Sequence, residues 1–121
     1  MSGYIMDLRK IVGHRPLLQV GAGVIVENEN GEVLLQKRAD NHCWGYAGGS
    51  VELDEVVEDA ARRELYEETG ITKGSFSFLG TYVSTNTIYT LFIHYTSCDK
   101  SSIVLQEGET DSFKWVSEEV P

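Results

Sequence analysis

Apolar positions along the chain fall into short runs with two different periods. From Tyr4 to Val12 they recur at Tyr4, Ile5, Leu8, Ile11 and Val12, which is helical spacing. Gly13 and Pro16 close that lead-in helix. Leu17 to Val26 is apolar and β-branched with Gly21, Ala22 and Gly23 in its middle, and predicts a long strand closely approached at the glycines. An Asn30-Gly31 turn signal follows, and Val33 to Arg38 returns as the second strand of a β-hairpin. Ala39 to Gly49, with Asn41, His42, Trp44 and three glycines, reads as a loop or short strand. Helical spacing then resumes from about Asp54 to Thr69. Asp54 is its predicted N-cap, with Glu55, Glu58 and Asp59 at the positive end. Val56, Val57, Ala60, Ala61 and Leu65 form its buried side, and Gly70 terminates it. Phe76 to Ser84, Thr87 to Ser97 and Ser112 to Val116 read as strands. Strands around one well-marked helix predict an α+β fold, a mixed sheet with helices packed on it.

The chain has 121 residues, which fits one domain, 1–121, with residues 1–13 as the helical lead-in. Its net charge of −9 leaves no basic patch for a nucleic-acid backbone, so no nucleic-acid polymer is expected as a partner. No segment has membrane-spanning length or the apolar core of a signal peptide, and no membrane partner is expected. Cys43 and Cys98 are too few for a disulfide framework or a zinc ribbon and read as free thiols of a cytoplasmic protein. The apolar face of the lead-in helix is a candidate homodimer surface.

Eight acidic residues lie between Glu52 and Glu68 against only Arg62 and Arg63. Such crowding is unfavourable unless cations hold the carboxylates together. Glu64, Glu67 and Glu68 are spaced i, i+3, i+4 and so share one helix face. Glutamates so placed suit Mg²⁺, which takes one or two carboxylates, keeps waters and is completed by substrate phosphates. Gly48-Gly49 lets backbone approach a metal or phosphate, and the Gly48 carbonyl is a candidate extra ligand. Arg63, four residues before Glu67, is placed to orient it, and Glu55 to set the arginine. A solvated acidic face is the plainer reading of the glutamates alone.

The stretch from Gly49 to Ile71 resembles the Nudix box, Gly-x5-Glu-x7-Arg-Glu-U-x-Glu-Glu-x-Gly-U with U apolar. Gly49, Glu55, Arg63, Glu64, Leu65, Glu67, Glu68, Gly70 and Ile71 fill every specified position. LeuLeuGlnLysArg (34–38), Trp44-Gly-Tyr-Ala-Gly-Gly and the late PheLysTrpVal (113–116) resemble the family's flanking segments. The resemblance implies a Nudix-type α/β/α sandwich with a mixed sheet. It also implies hydrolysis of a nucleoside diphosphate linked to some group X, with Mg²⁺ or its substitute Mn²⁺. It carries metal binding onto Gly48, Glu64, Glu67 and Glu68, and the orienting role onto Arg63. A further glutamate six residues before a late tryptophan is common in the family; Glu109 stands there, with Glu107 as its rival. Two positions depart from the family pattern: Ala47 stands for a proline before the glycine pair, and Asp54 for a glycine before the first box glutamate.

Arg38 is a candidate phosphate contact against the plainer surface salt bridge. Tyr46 and Tyr82 are candidates to hold a base or ribose, while Trp44 reads as packing beneath the loop. The expected substrate is a small-molecule nucleoside diphosphate derivative, such as a (deoxy)nucleoside triphosphate or ADP-ribose. The rival readings are a non-nucleotide or dinucleoside polyphosphate, and a catalytically silent nucleotide sensor.

Overall fold

The computed structural model describes residues 3–84 and 86–117. The elements run α1 (Tyr4–Val12), β1 (Gln19–Glu27), β2 (Glu32–Arg38), β3 (Trp44–Gly45), β4 (Ala47–Ser50), α2 (Val57–Thr69), β5 (Ser75–Val83), β6 (Thr87–Tyr95) and β7 (Thr110–Ser117). The architecture is α+β: a seven-stranded mixed sheet with two helices. Among the described residues no helix is long and apolar enough to cross a membrane.

The turn after β1 forms as its sequence predicts. Gly31 takes a positive φ of 74°, and the Asn28 side chain accepts from the Asn30 and Glu32 amides. The two strands then part. Their register is Glu27 opposite Val33, and beyond it each strand finds other partners. β1 runs parallel to β6 along its whole length and antiparallel to β4 from Gly21 to Val24. β2 pairs instead with β7 and, at Gln36 and Lys37, with β3. A hairpin read from local sequence is therefore the junction between two parts of one sheet, and the candidate site lies where they diverge.

The core comprises Ala22, Val24, Val26, Leu34, Ala47, Phe92, Ile71 and Ile103 with Ala60, Ala61 and Leu65 of α2. The alanines let α2 lie close to the sheet, and burying Leu65 contributes about 2 kcal/mol. Gly70 ends the helix in the left-handed conformation, its N–H donating to the Tyr66 carbonyl.

The predicted start of this helix is corrected. It begins at Val57, and Val56 is the N-cap without a side-chain cap. Asp54 lies before the helix with φ of 63°, a left-handed turn position that suits the glycine usual there. The reason is Glu55: it accepts two hydrogen bonds from Arg63 and one from the Glu52 amide, which holds residues 52–55 in a loop folded over the helix. Val56 is consequently exposed rather than buried. Glu58 and Asp59 do occupy the first turn, where negative charge is favoured.

Helix α1 buries none of its residues, and Met6 and Ile11 face solvent. Its N-terminus is tied to the rest of the chain through the Tyr4 amide, which donates to Glu52 at 3.1 Å.

Candidate active site

A cavity of about 190 Å³ opens between α2 and the diverging strands. Gln36 and Arg38 of β2, Trp44 and Gly45 of β3, Tyr46, Gly48 of β4, and Glu64 and Glu68 of α2 line it, with Gln106, Glu109 and Thr110 across the mouth. Residues as far apart in sequence as Gln36 and Thr110 thus meet in one polar recess.

Glu68 is the most constrained acid. Its Oε1 accepts from the Gln36 amide nitrogen at 2.9 Å, and its Oε2 from the Gly48 N–H at 2.9 Å. Burial is the main force pushing its carboxyl up to about 8, with the Glu64 carboxylate adding to it. The Gly48 N–H and the Gln36 amide pull the other way without winning.

Glu64 lies against the glycine pair. A Cβ on Gly49 would sit 2.5 Å from the Glu64 Oε1, and one on Gly48 would sit 2.7 Å from the Ala22 carbonyl oxygen. The two glycines are therefore needed for different approaches: Gly49 admits the Glu64 carboxylate, and Gly48 lets β4 lie against β1.

Arg63 is the hub of the charged network. Its Nε and Nη2 donate to the two oxygens of Glu55 at 2.7 and 3.0 Å, and Nη2 also donates to the Ser50 carbonyl. Its Nη1 meets Glu64 at 2.8 Å and Glu67 only at 3.4 Å. The expected partner, Glu67, is thus the weaker one. Glu55 beside Arg63 is held below the usual carboxylate range, and the guanidinium is held above its own.

The residues singled out from sequence divide accordingly. Gly48, Glu64, Glu68, Glu109, Arg38 and Tyr46 come together around the cavity. Arg63 stands behind it. Glu67 does not line it, and its side chain is 42% exposed. Among the described residues no three of His, Cys, Asp and Glu are gathered as a ready metal cluster. Glu109 reaches the cavity and Glu107 does not. Arg38 combines both readings: it makes a two-pronged ion pair with Asp40 and still forms part of the wall. Tyr82 lies on β5, at the far edge of the sheet, against Tyr89 with ring centroids 5.8 Å apart, away from the cavity. Trp44 is not packed beneath the loop. It is 41% exposed at the cavity, with the Lys114 ammonium 4.1 Å from its ring centroid.

Sequence pattern gives Gln36 no role, yet it is 4% exposed and holds Glu68. The available signal is slight: a polar residue directly after the apolar run Val33, Leu34 and Leu35 and before Lys37 and Arg38.

Comparison with known proteins agrees with this geometry. The NUDIX domain family matches residues 17–121. A protein of Bacillus subtilis (strain 168) named "Putative 8-oxo-dGTP diphosphatase" is 36% identical over 80% of this chain and 65% of its own. The RNA pyrophosphohydrolase of Vibrio atlanticus (strain LGP32) is 29% identical over 82% of this chain and 70% of its own. The crystal structure of the MutT protein from Methanosarcina mazei Go1 superposes with a TM-score of 0.64 at 28% identity, covering 86% of this chain and 79% of that one. The complete box, the cavity it lines and these likenesses place the chain in the NUDIX family, as a hydrolase of phosphoanhydrides.

Proposed function

We propose that the protein is a Mg²⁺-dependent pyrophosphohydrolase of a small nucleoside diphosphate derivative, with a (deoxy)nucleoside triphosphate as the favoured substrate. The observation that carries this reading is the part-buried Glu64–Glu68 pair, in which burial and the neighbouring Glu64 charge outweigh the neutral donors around Glu68. Two carboxylates at a polar recess fit Mg²⁺, which takes one or two and leaves its other positions to water and phosphate. When bound, Mg²⁺ (or Mn²⁺) supplies Lewis-acid neutralisation of the charge that develops on the phosphoryl oxygens.

The chain's own residues do the rest. Gln36 and the Gly48 N–H fix both oxygens of Glu68 and leave each with a further acceptor position. Arg63 holds Glu64 in place while leaving the cavity side of that carboxylate open. Glu109, on the opposite wall, is the residue placed to take a proton from the attacking water. Trp44 and Tyr46 offer aromatic faces at the mouth, which accept a base by stacking. Arg38 stands beside them as the phosphate contact. Glu67, at the rim, serves as an outer ligand once substrate phosphates extend the metal site. A 5′-triphosphate on RNA offers the same anhydride, but a chain of net charge −9 has little with which to hold the polymer.

The test is release of phosphate, pyrophosphate or nucleoside monophosphate from a panel at fixed Mg²⁺. The panel contains canonical and oxidised (deoxy)nucleoside triphosphates, ADP-ribose, a dinucleoside polyphosphate and 5′-triphosphorylated RNA. Turnover of a triphosphate well above the others is expected. Turnover confined to the RNA or to the dinucleoside polyphosphate would replace the substrate reading, and turnover undiminished by chelation would remove the metal.

A further inference from the structure

Behind α2, on the side away from Glu68, a second cavity of about 260 Å³ lies between the helix and the β5–β6 hairpin. Arg62, Tyr66, Thr72, Phe76 and His94 line it, together with Arg63. Its chemistry is unlike that of the rest of the chain. No carboxylate lines it, in a protein whose acids outnumber its lysines and arginines 19 to 10.

His94 is the second observation. It is 1% exposed, and neither ring nitrogen has a hydrogen-bond partner. A buried polar group left unpaired costs roughly 1–3 kcal/mol, so a native chain that keeps one has a use for it. The ring packs edge-on against Phe76, with centroids 4.7 Å apart. The Arg62 guanidinium lies over the same Phe76 ring at 4.2 Å from its centroid. Phe76 thus sets a guanidinium and an imidazole beside one another. Arg63 is committed to Glu55 and Glu64, whereas Arg62 has a looser 3.6 Å pair with Glu58 and a half-exposed side chain. Arg62 is therefore the part of the wall free to turn and admit a ligand.

The geometry points to a second binding site here, distinct from the catalytic cavity, that takes a small oxyanion between Arg62 and His94. The chemical match is direct. A guanidinium offers a planar fork of donors to carboxylate or phosphate oxygens. A neutral imidazole adds one N–H donor, and the Tyr66 and Thr72 hydroxyls are further donors in the lining. Leu65, Ile71 and Phe76 leave apolar room for an organic substituent on the anion. Because Arg62 directly precedes the arginine that braces Glu64, an anion drawn to this face of α2 sits one residue from the catalytic network.

The test reads the histidine rings of the full chain by ¹H–¹⁵N correlation without divalent cations. Inorganic phosphate and, separately, acetate are titrated against a chloride series of equal ionic strength. Saturable movement of the His94 signals is expected, with His14 and His42 unmoved. Arg62→Gln, at a half-exposed position that should leave the fold intact, is expected to weaken the binding about tenfold, and Arg62→Lys, which keeps the charge but loses the planar fork, to restore only part of it. The two anions separate a phosphate-bearing from a carboxylate-bearing ligand. His94 signals that stay fixed up to tens of millimolar of either anion overturn the site. So does an equal response in Arg62→Gln, since Arg62 takes no part in the catalytic cavity.

Discussion

Glu55 and Glu68 are both box glutamates, and the protein treats them in opposite ways. Glu55 meets two nitrogens of Arg63, and its carboxyl is held low. Glu68 is buried with neutral hydrogen-bond donors, an amide and a carboxamide, and its carboxyl is pushed up to about 8. Arg38, the cation nearest that wall, is already bonded to Asp40. One end of the acidic cluster is thus closed by an internal cation, while the other has only neutral donors and is the end that the proposed metal would complete. Glu64 stands between them, braced by Arg63 on one side and adjoining Glu68 on the other. Acidic residues that look alike in sequence are sorted by which of them the arginine can reach.

The sharpest break between the two ends is Glu68→Gln. Turnover of the best substrate should fall by roughly 10²–10⁴-fold at saturating Mg²⁺, while metal-free stability at pH 8 is unchanged or raised. Gln36 can turn its amide over so that its unpartnered oxygen accepts from the new side chain. Stability that falls with activity would erase the distinction. Arg63→Ala should do the reverse, costing about 2–3 kcal/mol in urea unfolding because Glu55 and Glu64 lose a largely buried partner. A loss of turnover without any loss of stability would put Arg63 on the chemical side instead.

Gly49→Ala probes the boundary between the ends. The added methyl must push the Glu64 carboxylate aside, and about 1–3 kcal/mol of destabilisation is expected, with a weakened Mg²⁺ activation constant. An unchanged metal dependence would separate Glu64 from the metal. The last readout is a pH dependence. Because Glu68 is raised from 4.5 to about 8 in the folded chain, its contribution to stability is full below pH 4.5 and is lost as pH rises to 8. His94, held neutral by burial and by Arg62, works in the opposite direction over part of this window. The measurement is therefore the difference in melting temperature between the wild type and Glu68→Gln. That difference should grow from pH 5 to 8 without metal and shrink when Mg²⁺ is added; a flat difference would contradict the assigned burial effect.

What the sequence disclosed follows the reach of the interactions involved. The Arg63–Glu55 contact, the Gly70 terminus and the Asn30-Gly31 turn lie within a few residues or one loop, and local pattern suffices to find them. The bond between Gln36 and Glu68 joins residues 32 positions apart through the packing of β2 against α2, and nothing local announces it. The N-cap was misplaced at Asp54 because capping propensity ignores the pull of Arg63 on Glu55. Sequence alone reads Trp44 as packing beneath the loop, whereas the short β3 pairing with β2 turns it to the cavity mouth. The glycine pair does admit a close approach, and at Gly49 what approaches is a carboxylate of the protein itself.

The division of β1 between β4 and β2 has an evolutionary consequence. The floor of the cavity is backbone: β4 is laddered to β1, and the Gly48 N–H reaches Glu68 without any side chain. The rim is made of side chains at Arg38, Trp44, Tyr46 and Gln106. Mutations at the rim can exchange one leaving group or base for another without disturbing the floor. Substrate preference is then free to drift between descendants of such a chain while the hydrolytic step is inherited intact.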